Sequence, residues 1–270
     1  MKFIEANGIT VRYQVEGQGP WVTLSHSLSC DLSMWDELAV ALAPMFTVLR
    51  YDTRGHGGTG LPKTAPEGAY SFAQLTGDLI SLLDALNIER THFLGLSMGG
   101  MIGQHFALAA PQRLNKLVIA NSTSRIPPEA APLWDERIRL AREQGCAALV
   151  EGTLGRWFTP DFRAARPDMM QRIGKLIAST PAAGYVGCAE AIRYLDITPR
   201  IGAIRVPTLV IAGAQDPGTP PAMSAVIAAA IPGARLEIIS PASHLSCLEQ
   251  SEEFRRLVAA FLSGRERNTA

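Results

Sequence analysis

Short apolar runs at residues 21–25, 46–51, 91–96, 116–120 and 207–212 alternate with longer stretches, at 34–43, 72–86, 98–109 and 222–230, whose apolar residues recur at three- and four-residue spacing. The first kind reads as strands buried on both faces, the second as helices laid against them. That alternation predicts a parallel sheet with crossover helices. The opening pieces, 2–4 and 10–17, alternate apolar and polar residues singly and predict an antiparallel hairpin at one edge. A strand at 235–240 and a closing helix at 252–263 complete the pattern, and the polar tail 264–270 reads as frayed.

The rhythm breaks between Pro127 and Pro199, where the sequence is helix-like and offers no convincing strand. An inserted helical cap explains the break. Its first helix spans 132–144 and is ended by Gly145, with further pieces near 147–154, 167–180 and 185–194. Residues 1–125 and 200–270 are then the two parts of one α/β core, and 126–199 the cap. A chain of 270 residues, 47% of them hydrophobic, is long enough to bury one large core. The expected fold class is α/β: a mostly parallel eight-stranded sheet with helices on both faces and a helical insertion.

Composition narrows the partners. Lys plus Arg (25) equals Asp plus Glu (25), which leaves no basic excess for nucleic acid. Cys30, Cys146, Cys188 and Cys247 show no C-x-x-C spacing and read as reduced thiols in a cytoplasmic protein. No apolar run approaches the roughly 20 residues of a membrane span, so no membrane partner is expected. The oligomeric state has no signature in the sequence.

Candidate chemistry begins at Thr91-His-Phe-Leu-Gly-Leu-Ser97-Met-Gly-Gly-Met, which runs from a predicted strand directly into a predicted helix. Gly95 and Gly99 flank Ser97 at G-x-S-x-G spacing, the nucleophile elbow of the α/β-hydrolase fold. Side chains at the two glycines would collide with the neighbouring strand and helix. The first helical turn then aims N–H groups at any oxyanion formed on Ser97.

In that fold the triad runs nucleophile, acid, histidine, so His26, His56 and His92 are excluded by preceding Ser97. His105, two turns into the following helix, cannot fold back to the serine and reads as a packed helical histidine. His244, in the loop after the last predicted strand, is left as general base. The cap carboxylates read as solvated charge. Asp216 instead follows a strand at the carboxyl end of the sheet, where open α/β folds gather their chemistry. Some members of the fold carry the acid after the preceding strand, but that position here is Asn121, which cannot offset an imidazolium by charge. Asp216 is therefore the expected orienting acid. The Leu28 and Met98 N–H groups are the expected oxyanion donors, with His26-Ser-Leu-Ser29 standing where many hydrolases of this fold have His-Gly. In residues 50–58, Arg-Tyr-Asp-Thr-Arg-Gly-His-Gly-Gly, Asp52 and Arg54 read as braces of a glycine-rich loop rather than as chemistry.

The chain resembles the 3-oxoadipate enol-lactonases through Asp31-Leu-Ser-Met-Trp35, residues 50–57, Gly95-Leu-Ser-Met-Gly-Gly100, Arg156-Trp-Phe-Thr159, Gly187-Cys-Ala-Glu-Ala-Ile192 and Ser243-His-Leu-Ser246. The cap segments discriminate best, and that family usually shows Asn-Ser-Leu-Gly at 26–29. The resemblance implies that a small-molecule carboxylated lactone or ester is the partner, specifically an enol-lactone bearing a carboxymethyl group that is hydrolysed to 3-oxoadipate through an acyl-enzyme on Ser97, with no metal and no organic cofactor. A substrate carboxylate needs a cation. Arg137 interrupts an apolar stripe of Trp134, Ile138 and Ala141 on the first cap helix and is the leading candidate, ahead of Arg125 and Arg156; a snorkelling or salt-bridged arginine is the other reading of Arg137. Trp134 and Trp157 are candidate pocket walls, a core role being equally open to them. A carboxylesterase, a carbon–carbon hydrolase or a cofactor-free perhydrolase would use the same triad, and a ligand receptor on this scaffold is the alternative from another class.

Overall fold

The computed structural model describes residues 1–61 and 69–264, so the tail from 265 onward lies outside the described residues. Its strands are β1 (Lys2–Ala6), β2 (Ile9–Glu16), β3 (Trp21–Ser25), β4 (Thr47–Tyr51), β5 (Thr91–Leu96), β6 (Leu114–Ala120), β7 (Thr208–Gly213) and β8 (Arg235–Ile239). They form one eight-stranded sheet in the order β1-β2-β4-β3-β5-β6-β7-β8. β2 pairs antiparallel with β1 and β4; all other pairings are parallel. The edge hairpin is turned by Asn7 and Gly8, with φ of 49° and 74°, a conformation that Asn-Gly adopts readily.

Helices α1 (Asp36–Leu42), α2 (Phe72–Ala85) and α3 (Met98–Ala109) precede β6. Between β6 and β7 lie α4 (Ala131–Gln144), α5 (Val150–Trp157), α6 (Pro160–Ala165), α7 (Pro167–Ser179), α8 (Ala182–Arg193) and α9 (Thr198–Ile201). α10 (Pro221–Ala230), α11 (Ser246–Glu249) and α12 (Ser251–Ser263) complete the chain. Two expected helices differ in detail. The apolar spacing predicts one helix over 34–43, but Asp31 caps a 3-10 turn, Leu32–Trp35, before α1 begins. The piece expected at 147–154 is a 3-10 turn, Cys146–Leu149, followed by α5, which runs on to Trp157. α6 was not foreseen, although Thr159 caps it and Pro160 opens it, a usual helix start.

The apolar runs are continuous because the central strands are covered on both faces: Val22, Leu24, Val48, Leu49, Phe93, Leu94, Leu117, Val118, Leu209 and Val210 are wholly buried. α3 packs on β3, β5 and β6 and carries α2, while α1 packs with α12, where Trp35 meets Phe254 at 6.4 Å between ring centroids.

The glycine-rich loop after β4 is braced as expected. Asp52 accepts from Leu32 N–H and Gly58 N–H, both at 2.7 Å, and lies 3.3 Å from Arg12 Nε. Arg54 makes a two-pronged bond to Asp78 of α2, at 2.8 and 2.6 Å, with both residues buried. Removing one partner would strand a buried charge, the costly way to break such a pair. Asp78→Ala is therefore expected to lower unfolding free energy by about 3 kcal/mol in a denaturant titration, far more than an exposed pair is worth.

Candidate active site

β5 enters α3 through Ser97, whose φ and ψ of 57° and −114° are strained for a non-glycine residue. The turn is tight enough that a Cβ at Gly95 would meet the Gly99 carbonyl and one at Gly99 would meet the Ser25 carbonyl of β3. Both glycines are required by this close approach. The strained residue is pinned through its backbone: Ser97 N–H donates to Ala120 O of β6 at 2.9 Å, and Ser122 Oγ donates to Ser97 O at 2.8 Å. Met98 opens α3, so its N–H belongs to the first turn, where no intrahelical acceptor exists.

His244 and Asp216 meet as the sequence suggested, Nδ1 to Oδ2 at 2.7 Å, both buried. A carboxylate accepts here, so Nδ1 carries the proton and Nε2 is left to accept one. Asp216 also accepts from Gly218 N–H and Thr219 N–H on Oδ1, at 2.8 and 3.0 Å, and from the Thr219 hydroxyl on Oδ2 at 2.7 Å. Burial pushes its carboxyl up, but the facing His244 and these donors outweigh burial and hold it well below the usual carboxylate range. With its pKa depressed by folding, Asp216 contributes stability that is present above the unfolded carboxylate value and lost only as pH falls through the lower folded value. Trp157 lies over His244, ring centroids 6.0 Å apart.

Ser97, His244 and Asp216 open on one cavity of about 280 Å³, which Leu28 and Ser27 also line. Ser97 and His244 form no hydrogen bond in this structure; such contacts commonly tighten only once substrate is bound. Trp134, Arg137, Arg156 and Trp157 form the wall contributed by α4 and α5. The Arg137 guanidinium rests on Trp134 at 5.1 Å, and its buried Nε has no partner. Burial first, then the neighbouring Arg156 guanidinium, pulls Arg137 down to about 10, which leaves it charged at neutral pH with no carboxylate counter-ion among the described residues. Arg156 donates to Thr153 of its own helix at 3.2 Å and is likewise lowered by burial. Arg125, the third arginine candidate, is outside the cavity wall and lies 3.7 Å from Asp196 at the surface. His105 stacks on Phe72 and its Nδ1 bonds Met101 O, a packed helical histidine.

Three polar residues around the site escaped sequence reasoning. Asn121, weighed only as a missing acid, donates to Asp216 Oδ2 at 3.1 Å. Thr219 was passed over, although a hydroxyl three residues after an aspartate is a usual turn partner. Glu249, buried in α11, accepts from Ser243 N–H at 2.8 Å and from Thr159 N–H at 3.1 Å and the Thr159 hydroxyl, tying the start of α6 to the histidine loop. Its partners are 6 and 90 residues away, so no local pattern announces it.

Residues 20–251 match the α/β-hydrolase fold family, whose eight-stranded, mostly parallel sheet with flanking helices is the architecture described above. The chain is 37% identical to 3-oxoadipate enol-lactonase 2 of Acinetobacter baylyi over 96% of its own length and 95% of that protein's. With 3-oxoadipate enol-lactonase 1 of the same organism it shares 34% identity, over 94% of each chain. The crystal structure of the enol-lactonase from Burkholderia xenovorans LB400 superposes with a TM-score of 0.92 and 39% identity, covering 97% of this chain and 100% of that one. The protein thus belongs to the α/β hydrolases and, among them, to the 3-oxoadipate enol-lactonase family of carboxylic ester hydrolases.

Asp216→Asn would keep the shape of the acid while removing the charge and the acceptor that fix the His244 tautomer. A fall in kcat of about 10³- to 10⁴-fold is expected in steady-state kinetics, with KM little changed.

Proposed function

We propose that the protein opens 3-oxoadipate enol-lactone, a small lactone bearing a carboxymethyl group, to 3-oxoadipate through an acyl-enzyme on Ser97. The observation that carries the reading is the pair of half-buried guanidiniums, Arg137 and Arg156, which have no carboxylate partner among the described residues and line the same cavity as Ser97 and His244. A cavity with uncompensated positive charge suits an anionic substrate. Its only acidic lining residue among the described residues is Asp216, whose charge is engaged by His244.

His244 takes the Ser97 proton as the hydroxyl attacks the lactone carbonyl, and Asp216 holds the imidazole and offsets its charge. The Leu28 and Met98 N–H groups receive the oxyanion. Ring opening expels an enolate, a better leaving group than an alkoxide, and the proton held by His244 passes to it, which returns the imidazole to its neutral form. The enol becomes the 3-oxo group while the acyl chain stays on Ser97. Water activated by neutral His244 then releases the diacid. Arg137 holds the substrate carboxylate, with Trp134 and Trp157 walling the pocket. Residues 126–199 act as a cap that supplies this specificity, and no organic cofactor enters the scheme. The balanced charge and the four free, buried cysteines favour a cytoplasmic enzyme that does not bind nucleic acid.

Two variants test the reading. Ser97→Ala is expected to abolish turnover of the enol-lactone with binding preserved; substantial residual turnover would sink it. Arg137→Ala is expected to raise KM for the carboxylated lactone by about 10- to 100-fold, the range of a charge-assisted bond, while leaving p-nitrophenyl acetate turnover nearly unchanged. An unchanged KM for the lactone would remove Arg137 from carboxylate recognition.

A further inference from the structure

The tip of β6 is where the three catalytic loops meet. Ala120 O receives the Ser97 N–H, and Asn121 N–H donates to Ile211 O of β7 at 2.8 Å. Asn121 itself is wholly buried with a φ of 42°, a backbone state that asparagine tolerates better than most residues. Its amide is fully committed. Nδ2 donates to Asp216 Oδ2 and to Ser243 O, both at 3.1 Å, and Oδ1 accepts from Ser246 Oγ at 2.6 Å. One side chain therefore bridges the loop that carries the acid and the loop that carries the base, while the next residue, Ser122, holds the carbonyl of Ser97.

The orientation of the amide is determined by its partners. The carboxylate and the Ser243 carbonyl are both acceptors, so only the NH₂ end can face them. The Ser246 hydroxyl, donating to Oδ1, makes the opposite flip unfavourable on both sides. Asp216 Oδ2 is also the oxygen that receives His244 Nδ1–H. A donor placed on that oxygen draws off part of its negative charge and fixes its position relative to the imidazole.

We infer that Asn121 is a positioning residue for the reaction: its amide locks the acid loop to the base loop and sets how strongly Asp216 stabilises the protonated base. The inference rests on the triad reading of Ser97, Asp216 and His244 given above. The titratable groups brought to this junction are Asp216 from the loop after β7, His244 from the loop after β8, and Glu249 of α11, which reaches Ser243 N–H. From β5 and α3 the facing residue is Ser97, which carries no charge at working pH.

The test is Asn121→Gly, which keeps the positive φ without strain and deletes the side chain with its amide. Loss of a donor to Asp216 leaves that carboxylate more basic, so the His244 imidazolium is stabilised. The acid limb of the kcat/KM profile for the enol-lactone is then expected to move to higher pH by about half a unit, with kcat down about tenfold or more and KM unchanged. An unmoved acid limb overturns the inference, whether kcat falls, which would make Asn121 a folding residue only, or stays within about twofold of the parent. Ser246→Ala is the milder second variant if Asn121→Gly does not fold. It leaves Asn121 Oδ1 without its donor and loosens the hold of the amide on Asp216, and is expected to lower kcat several-fold at constant KM; an unchanged kcat overturns the inference. Ser97→Ala in the same assay separates the two levels, since turnover surviving in that variant defeats the triad reading, whereas turnover lost there and unaffected in both Asn121→Gly and Ser246→Ala defeats this inference alone.

Discussion

The catalytic edge of this molecule depends on one close approach of backbone to backbone, where the amino end of α3 presses against β3 and β5 at Gly95 and Gly99. That contact forces Ser97 into a conformation costing of order 1–3 kcal/mol for a residue with a side chain. The surroundings offset it with Ala120 O and Ser122 Oγ, both supplied by the tip of β6. The same compression that strains the serine thus brings the end of the neighbouring strand under it. Parallel order then does the rest, since β6, β7 and β8 are adjacent and their carboxyl ends deliver Asn121, Asp216 and His244 to one place.

Charge is distributed unequally across the cavity. At one end the Asp216 carboxylate receives His244 Nδ1–H and is surrounded by further N–H and O–H donors. At the other, the half-buried Arg137 and Arg156 guanidiniums face the same cavity, Arg137 Nε is unpaired, and neither has a carboxylate partner among the described residues. Partial loss of hydration without a facing carboxylate is what lowers the pKa of both arginines.

Much of this was readable in the chain because its causes are local. The elbow is announced by two glycines and a serine between a strand and a helix, and the antiparallel edge by single alternation in β1 and β2. The order of residues along the chain then singled out His244 and Asp216 without any knowledge of distance. Arg137 stood out as a cation on an apolar helical stripe. What stayed hidden is held by tertiary contacts between distant residues. Asn121 lies 95 residues from Asp216 and 125 from Ser246, and only the sheet order makes them neighbours. Reading that position as a failed acid was right about its charge and missed its use as a donor. The 3-10 turns before α1 and α5 were merged with their helices because apolar spacing does not distinguish the two coils over one turn.

The segment Arg156-Trp-Phe-Thr159 runs alongside the histidine loop and is stitched to it: Ser243 Oγ to Arg156 O at 2.8 Å, Leu245 N–H to Trp157 O at 3.1 Å, and Glu249 to both donors of Thr159. The base is therefore registered on α5 as firmly as on the sheet. The helices between β6 and β7 cannot lift away as a rigid lid without unseating His244.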